Sequence, residues 1–145
     1  MQLFDINCML GPTNTDREES FRSPEKLLAE MDRVGIGEAL VYASQARMAH
    51  PKDGNGWVVE AVRGHERLHA CWVLLPPGTA EQLEPEALVQ QMKAADVRAA
   101  RMFPTAHHFP LLERSLRPLL QALAKAGIPL LIDTGRTGWS QITLD

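Results

Sequence analysis

Cysteine is scarce in this chain, blocks of one charge are missing, and long apolar runs are missing too. The only two cysteines, Cys8 and Cys71, lie far apart in apolar stretches, which excludes a disulfide framework and suits buried, reduced thiols. No segment approaches about eighteen consecutive apolar residues, and no charged leader precedes a long apolar stretch, so neither a spanning helix nor a signal peptide is read. The expected location is therefore the cytoplasm. The net charge of −3 comes from interspersed signs without a basic stripe, which argues against nucleic acid or an anionic membrane as a partner. His50, His65 and His69 have no partner at a metal-binding spacing and read as surface or helix-end residues. Ser44 and Ser140 lack the Gly-x-Ser-x-Gly elbow that exposes a nucleophilic serine.

What the sequence does contain is a repeat of short apolar runs and helix-like stretches, recurring at roughly thirty residues. The first run is Leu3–Gly11. Ser23 followed by Pro24 predicts a helix start, Leu27, Leu28, Met31 and Val34 recur at helical spacing, and Gly35 stops the helix. Ala39–Ala43 is the second run. After a loop expected around His50–Asn55, Trp57, Val58, Ala61 and Val62 predict a second helix closed by Gly64. His69–Leu75 is the third run, ended by Pro76-Pro77-Gly78. Pro85 opens a helix carrying Leu88, Val89 and Met92, and Val97–Phe103 is the fourth run. Leu112, Leu116, Leu119, Leu120 and Leu123 line a fourth helix, with Pro118 expected to begin a second helical piece. Gly127 stops it, and Ile128–Asp133 is the fifth run.

Near-continuous apolar strands alternating with helices define an α/β chain with a parallel sheet. Two architectures compete. A five-stranded doubly wound domain fits the length but normally ends in a helix covering the last strand. Here the chain stops near Thr143 and Asp145, where such a helix would begin. An eight-unit TIM-like barrel takes about 250 residues, so this length matches its first five strand units. Residues 1–145 are read as one partial (β/α) barrel domain. Its open edges lead us to expect a homo-oligomer or membership of a longer chain.

Several of these segments carry a resemblance. Asp5-x-Asn7-x-Met9-x-Gly11, the Gly35-Ile36 pair before the second strand, Pro76 after the third and Arg101-Met102-Phe103-Pro104 in the fourth resemble the amidohydrolase superfamily. So does Gly127-Ile128-Pro129-Leu130 leading to Asp133-Thr134-Gly135. The chain resembles in particular the N-terminal part of its amidohydrolase-related (amidohydrolase 2) group of metal-dependent hydrolases and decarboxylases. The resemblance implies a TIM-like barrel with a divalent metal such as zinc. Two histidines of the opening motif and one after the fifth strand would bind it, with further ligands on later strands. Those three positions hold Asn7, Met9 and Asp133. A thioether and an amide oxygen are poor ligands for such ions, so no metal or other cofactor is expected.

Strand tips are where a barrel places function, which makes Asn7 and Asp133 the candidate catalytic residues. Asp5 either binds substrate or caps a loop. Arg101 either holds an anionic substrate or pairs with a neighbouring carboxylate. Adjacent histidines point apart in most backbones, so His107 is read as a polar loop contact to substrate and the His107-His108 pair as no chelate. The glycine-rich Arg136–Trp139 loop either faces a ligand or is a plain turn. Three functions remain open. The first is an amidohydrolase-like hydrolase or decarboxylase acting on a small carboxylated or cyclic substrate without the usual metal. The others are a noncatalytic small-molecule-binding relative and an incomplete piece of a longer enzyme.

Overall fold

A computed structural model describes residues 3–13, 21–78, 80–134 and 142–143. In chain order they form β1 (Leu3–Leu10), α1 (Pro24–Val34), β2 (Ile36–Ala43), α2 (Ser44–Met48), α3 (Pro51–Val62) and β3 (Leu68–Val73). There follow α4 (Pro85–Ala94), β4 (Ala99–Met102), β5 (Leu111–Leu112), α5 (Glu113–Ala126), β6 (Leu130–Ile132) and β7 (Ile142–Thr143). Five strands make one parallel sheet in the order β1-β2-β3-β4-β6. The sheet is curled into part of a TIM-like barrel, as the partial-barrel reading of the sequence requires.

The curl can be read from one side chain. In a flat sheet β1 and β4 would stand about 14 Å apart, three strand spacings, beyond the reach of an arginine side chain. Yet Arg101 of β4 donates from Nη2 to the Ile6 carbonyl oxygen of β1 at 2.8 Å and from Nη1 to Asn7 Oδ1. The sheet must bend to bring the two tips together. Helices cover its outer face through Leu27 and Met31 of α1, Val58 of α3, Leu88 and Met92 of α4, and Leu116, Leu119 and Leu123 of α5, all buried. The edge strands are less protected: Leu3, Phe4 and Ile6 of β1 and Ile132 of β6 are exposed. Among the described residues no helix is long and apolar enough to cross a membrane.

Several sequence expectations need correction. The predicted loop around His50–Asn55 is instead the start of α3, because Pro51 occupies the first turn and His50 Nδ1 accepts from Lys52 N at 3.1 Å. The short helix α2 was not expected. It packs so tightly on α3 that a Cβ on Gly54 would lie 2.4 Å from the Ala46 backbone nitrogen, which is why that helix position carries glycine. Pro118 does not begin a second piece: α5 runs through it, and because Pro118 is exposed, the carbonyl it leaves unbonded reaches water. Gly35 and Gly127 do end their helices, at φ of 79° and 70°. α3 ends one residue before the predicted stop, with Arg63 rather than Gly64 as its C-cap. Leu112 belongs to β5, which pairs in parallel with β7, so Thr143 sits in a strand rather than at a helix start.

Candidate functional site

β1 reaches the site through a bulge. Asp5 pairs with Ala39 and Cys8 with Val41, so three residue steps of β1 stand against two of β2. Asp5 fastens this irregularity: Oδ1 accepts from Asn7 N at 2.8 Å and Oδ2 from Cys8 Sγ at 3.2 Å. Of the two readings of Asp5, these bonds are those of the loop cap. The extra residue re-aims the strand, and Asn7 presents its amide oxygen to Arg101.

Arg101 is the centre of the arrangement. It is only 5 % exposed. Its register partner is Val73 of β3, and its carbonyl oxygen accepts from Leu74 N at 2.8 Å. Asn55 of α3 fixes that neighbour by taking both backbone groups of Val73, at 2.8 and 2.9 Å. The guanidinium lies 4.9 Å from the Tyr42 ring centroid and 5.8 Å from that of Phe103, contacts that suit a cation on an aromatic face. Both groups it bonds on β1 are neutral, and its Nε is buried without a hydrogen-bond partner. Asp133 follows β6, with its N–H donating to the Met102 carbonyl oxygen at 2.9 Å. Its charge reaches the same ring: burial raises the Tyr42 hydroxyl pKa, Arg47 and Arg101 oppose the rise, and Asp133 adds to it. Asn7 and Arg101 thus meet beside Tyr42, and the Asp133 charge is felt at the Tyr42 hydroxyl.

His107 is placed one layer away. Its ring meets Phe103 edge-on with centroids 6.1 Å apart, and Nε2 lies 3.1 Å from the Arg47 carbonyl oxygen of α2, to which it donates. Burial pushes its pKa below the usual histidine value. His69, read as a surface residue, is instead a half-buried strand residue, with Nε2 2.6 Å from Glu38 Oε2 and its ring stacked on Phe4. No spacing rule could have found that pair, because parallel register brings the two together. Ser44 is fully buried and donates to the Pro12 carbonyl oxygen at 2.6 Å, a structural bond. Ser140 and the Arg136–Trp139 loop lie outside the described residues.

Nucleophilic thiol chemistry does not fit. Burial pushes both Cys8 and Cys71 up to about 12, with Asp5 adding to the rise at Cys8 and Arg101 opposing it at both, so neither forms a thiolate near neutrality. The divalent metal implied by the resemblance does not fit either. Asn7 Oδ1 already accepts from a guanidinium, Met9 offers a thioether, and among the described residues no three His, Cys, Asp or Glu side chains come together as ligands.

Comparison with known proteins places the fold. No protein-family model matches the chain, and no curated protein matches it in sequence. Solved structures do match, and they are barrel enzymes. One is a probable 2-pyrone-4,6-dicarboxylic acid hydrolase from Acinetobacter baumannii with citric acid bound, at a TM-score of 0.64 and 11% identity over 91% of this chain and 49% of that one. Another is a 5-carboxyvanillate decarboxylase from Novosphingobium aromaticivorans with bound manganese and 3-methoxy-4-hydroxy-5-nitrobenzoic acid. It has a TM-score of 0.63 and 16% identity over 91% of this chain and 42% of that one. The chain therefore spans less than half of either structure, and at these identities the likeness speaks for the fold.

Proposed function

We propose that this chain forms the substrate-orienting part of an amidohydrolase-like hydrolase or decarboxylase acting on a small carboxylated or cyclic substrate at the barrel mouth. The observation that carries the reading is the Arg101 guanidinium, buried at the strand tips and bonded there to neutral groups. A guanidinium keeps its charge at any physiological pH and has five N–H donors in a planar fork. Two are spent on β1. A substrate carboxylate is the natural partner for the charge. Asn7 and Asp133 would orient the substrate from either side and steady developing charge. Asp5 acts through the bulge that aims Asn7, and His107 through the Phe103 ring that the guanidinium faces. The two neighbours named above act on carboxylated rings, which supports the same substrate class. The exposed edges of β1 and β6 support the expectation that further polypeptide, from a second copy or a longer chain, covers them.

The test is calorimetric titration of the chain with 2-pyrone-4,6-dicarboxylate and 5-carboxyvanillate beside their methyl esters. The acids are expected to bind saturably and the esters at least tenfold more weakly, with Arg101→Met reducing the acid to the level of its ester. Equal binding of acid and ester, or no saturable binding of either acid, refutes the reading.

A further inference from the structure

We propose that the Arg101 guanidinium is the resident cation of this site, standing where a divalent metal would otherwise sit, so that the strand tips of this chain take an organic anion directly and hold no metal ion. The inference concerns the same site as the proposed function and rests on that reading only for its ligand. Its geometric basis is separate. Asn7 occupies a motif position from which a ligand would reach a metal, and its one good donor atom, Oδ1, faces the guanidinium. A dication drawn to that oxygen would meet a permanent positive charge at hydrogen-bond distance, with little water between them to screen it, because Arg101 is 5 % exposed.

Nor can the guanidinium easily swing aside. One Nη is held by the Ile6 carbonyl at 2.8 Å, and the guanidinium rests against the Tyr42–Phe103 ring pair, 4.9 and 5.8 Å from the two centroids. Its own strand is pinned to β3 through Val73 and Leu74. The neighbouring side chains suit an ammonium-like cation better than a metal. Met9 shares a register position with Tyr42, so its thioether points to the same side of the sheet, and neither a thioether nor a phenol that burial keeps protonated is a good ligand for a hard divalent cation. The aromatic faces, by contrast, are good partners for a delocalised monovalent charge. The functional consequence is a change of chemistry at the mouth. A guanidinium fixes and polarises a carboxylate or carbonyl oxygen by hydrogen bonds, whereas it cannot lower the pKa of water as a metal does.

The experiment uses the full chain and two measurements. In the first, wild type and Asn7→Ala are dialysed against zinc chloride and, separately, manganese chloride, and retained metal is measured by elemental analysis. The expected result is no wild-type metal that Asn7→Ala removes. About one zinc or manganese per chain, lost in Asn7→Ala or in an Asp133→Ala protein dialysed beside it, overturns the proposal, while metal retained equally by all three proteins lies elsewhere and leaves the strand tips metal-free. In the second, 5-carboxyvanillate is titrated into wild type with chelator and with each metal. Unchanged affinity is expected, and a tenfold gain on adding either metal overturns the proposal. Should the acid fail to bind under any condition, the carboxylate reading falls, and the dialysis result still decides which cation the site holds.

Discussion

Gly54 and Gly56 lie two residues apart in α3 and are expected to answer the same substitution with opposite signs. Replacing a helical glycine by alanine recovers about 0.8–1.0 kcal/mol of backbone entropy and helix propensity. At Gly56, which is exposed, a Cβ meets nothing within 4 Å, so Gly56→Ala should stabilise by up to about 1 kcal/mol. At Gly54 the new Cβ would lie 2.4 Å from the Ala46 backbone nitrogen, 2.6 Å from its Cβ and 2.7 Å from its Cα. These atoms belong to α2 itself and cannot rotate away, so the whole short helix must shift. Overpacking of this kind costs about 1–3 kcal/mol, and the upper end applies when backbone must move. After subtracting the helix gain, Gly54→Ala should destabilise by about 2 kcal/mol. For a chain of this size each kcal/mol moves the Tm by roughly 2–4 °C. Urea and thermal unfolding followed by circular dichroism should then separate the two variants by about 3 kcal/mol. A Gly54→Ala protein as stable as Gly56→Ala would refute the close helix contact, and with it the position of α2 beside the mouth.

Two other outcomes follow from named contacts. Asn55→Ala should leave the Val73 N–H and carbonyl without the partners they hold at 2.9 and 2.8 Å. At about 1–3 kcal/mol per stranded buried group, the urea midpoint should fall clearly, and an unchanged midpoint would show that Asn55 does not brace β3. His107 should make stability pH-dependent. Its folded pKa is lowered by burial, so between the unfolded value near 6.5 and the lower folded value the unfolded chain binds more protons. Stability from His107 is therefore fully present above about pH 6.5 and declines as pH falls through that window. His107→Gln should flatten the decline in urea titrations between about pH 5 and 7.5, and an identical slope would rule His107 out as its source.

The repeat of apolar runs and helices was legible because each element obeys local rules. Pro24 and Pro85 stand at helix starts, Gly35 and Gly127 at helix ends, and the buried strands are continuously apolar. The misreadings fall where tertiary contact overrides a local signal. His50-Pro51-Lys52-Asp53-Gly54-Asn55 has the composition of a loop, yet it is helical because α2 needs a glycine opposite Ala46 and β3 needs an amide opposite Val73. Pro118 breaks helices on propensity alone, but on an exposed face its missing N–H costs less than a break in the buried Leu116, Leu119 and Leu123 stripe would. Asn7, Arg101 and Asp133 could be picked out as strand-tip residues. Their mutual arrangement could not, since the bond from Arg101 to Asn7 joins residues 94 apart in sequence and depends on how sharply the sheet curls. The pair of His69 with Glu38 was hidden because it depends on the register of two parallel strands.

The open side of the sheet bears on how strongly the site can act. Arg101 is already desolvated on the side of Tyr42 and Phe103, whereas the edge strands that flank the concave face expose Leu3, Phe4, Ile6 and Ile132 to water. The attraction between a guanidinium and a carboxylate rises steeply as water leaves their surroundings, and closing a site around its ligand has that effect. Any polypeptide that covered β1 and β6 would therefore strengthen the attraction between the guanidinium and a bound carboxylate without adding a contact of its own. On the proposed reading, an affinity for a carboxylated ring measured on this chain alone is a lower bound. A charge-dependent difference between acid and ester is the quantity to measure on it, because that difference depends on Arg101 and survives even where the absolute affinity is weak.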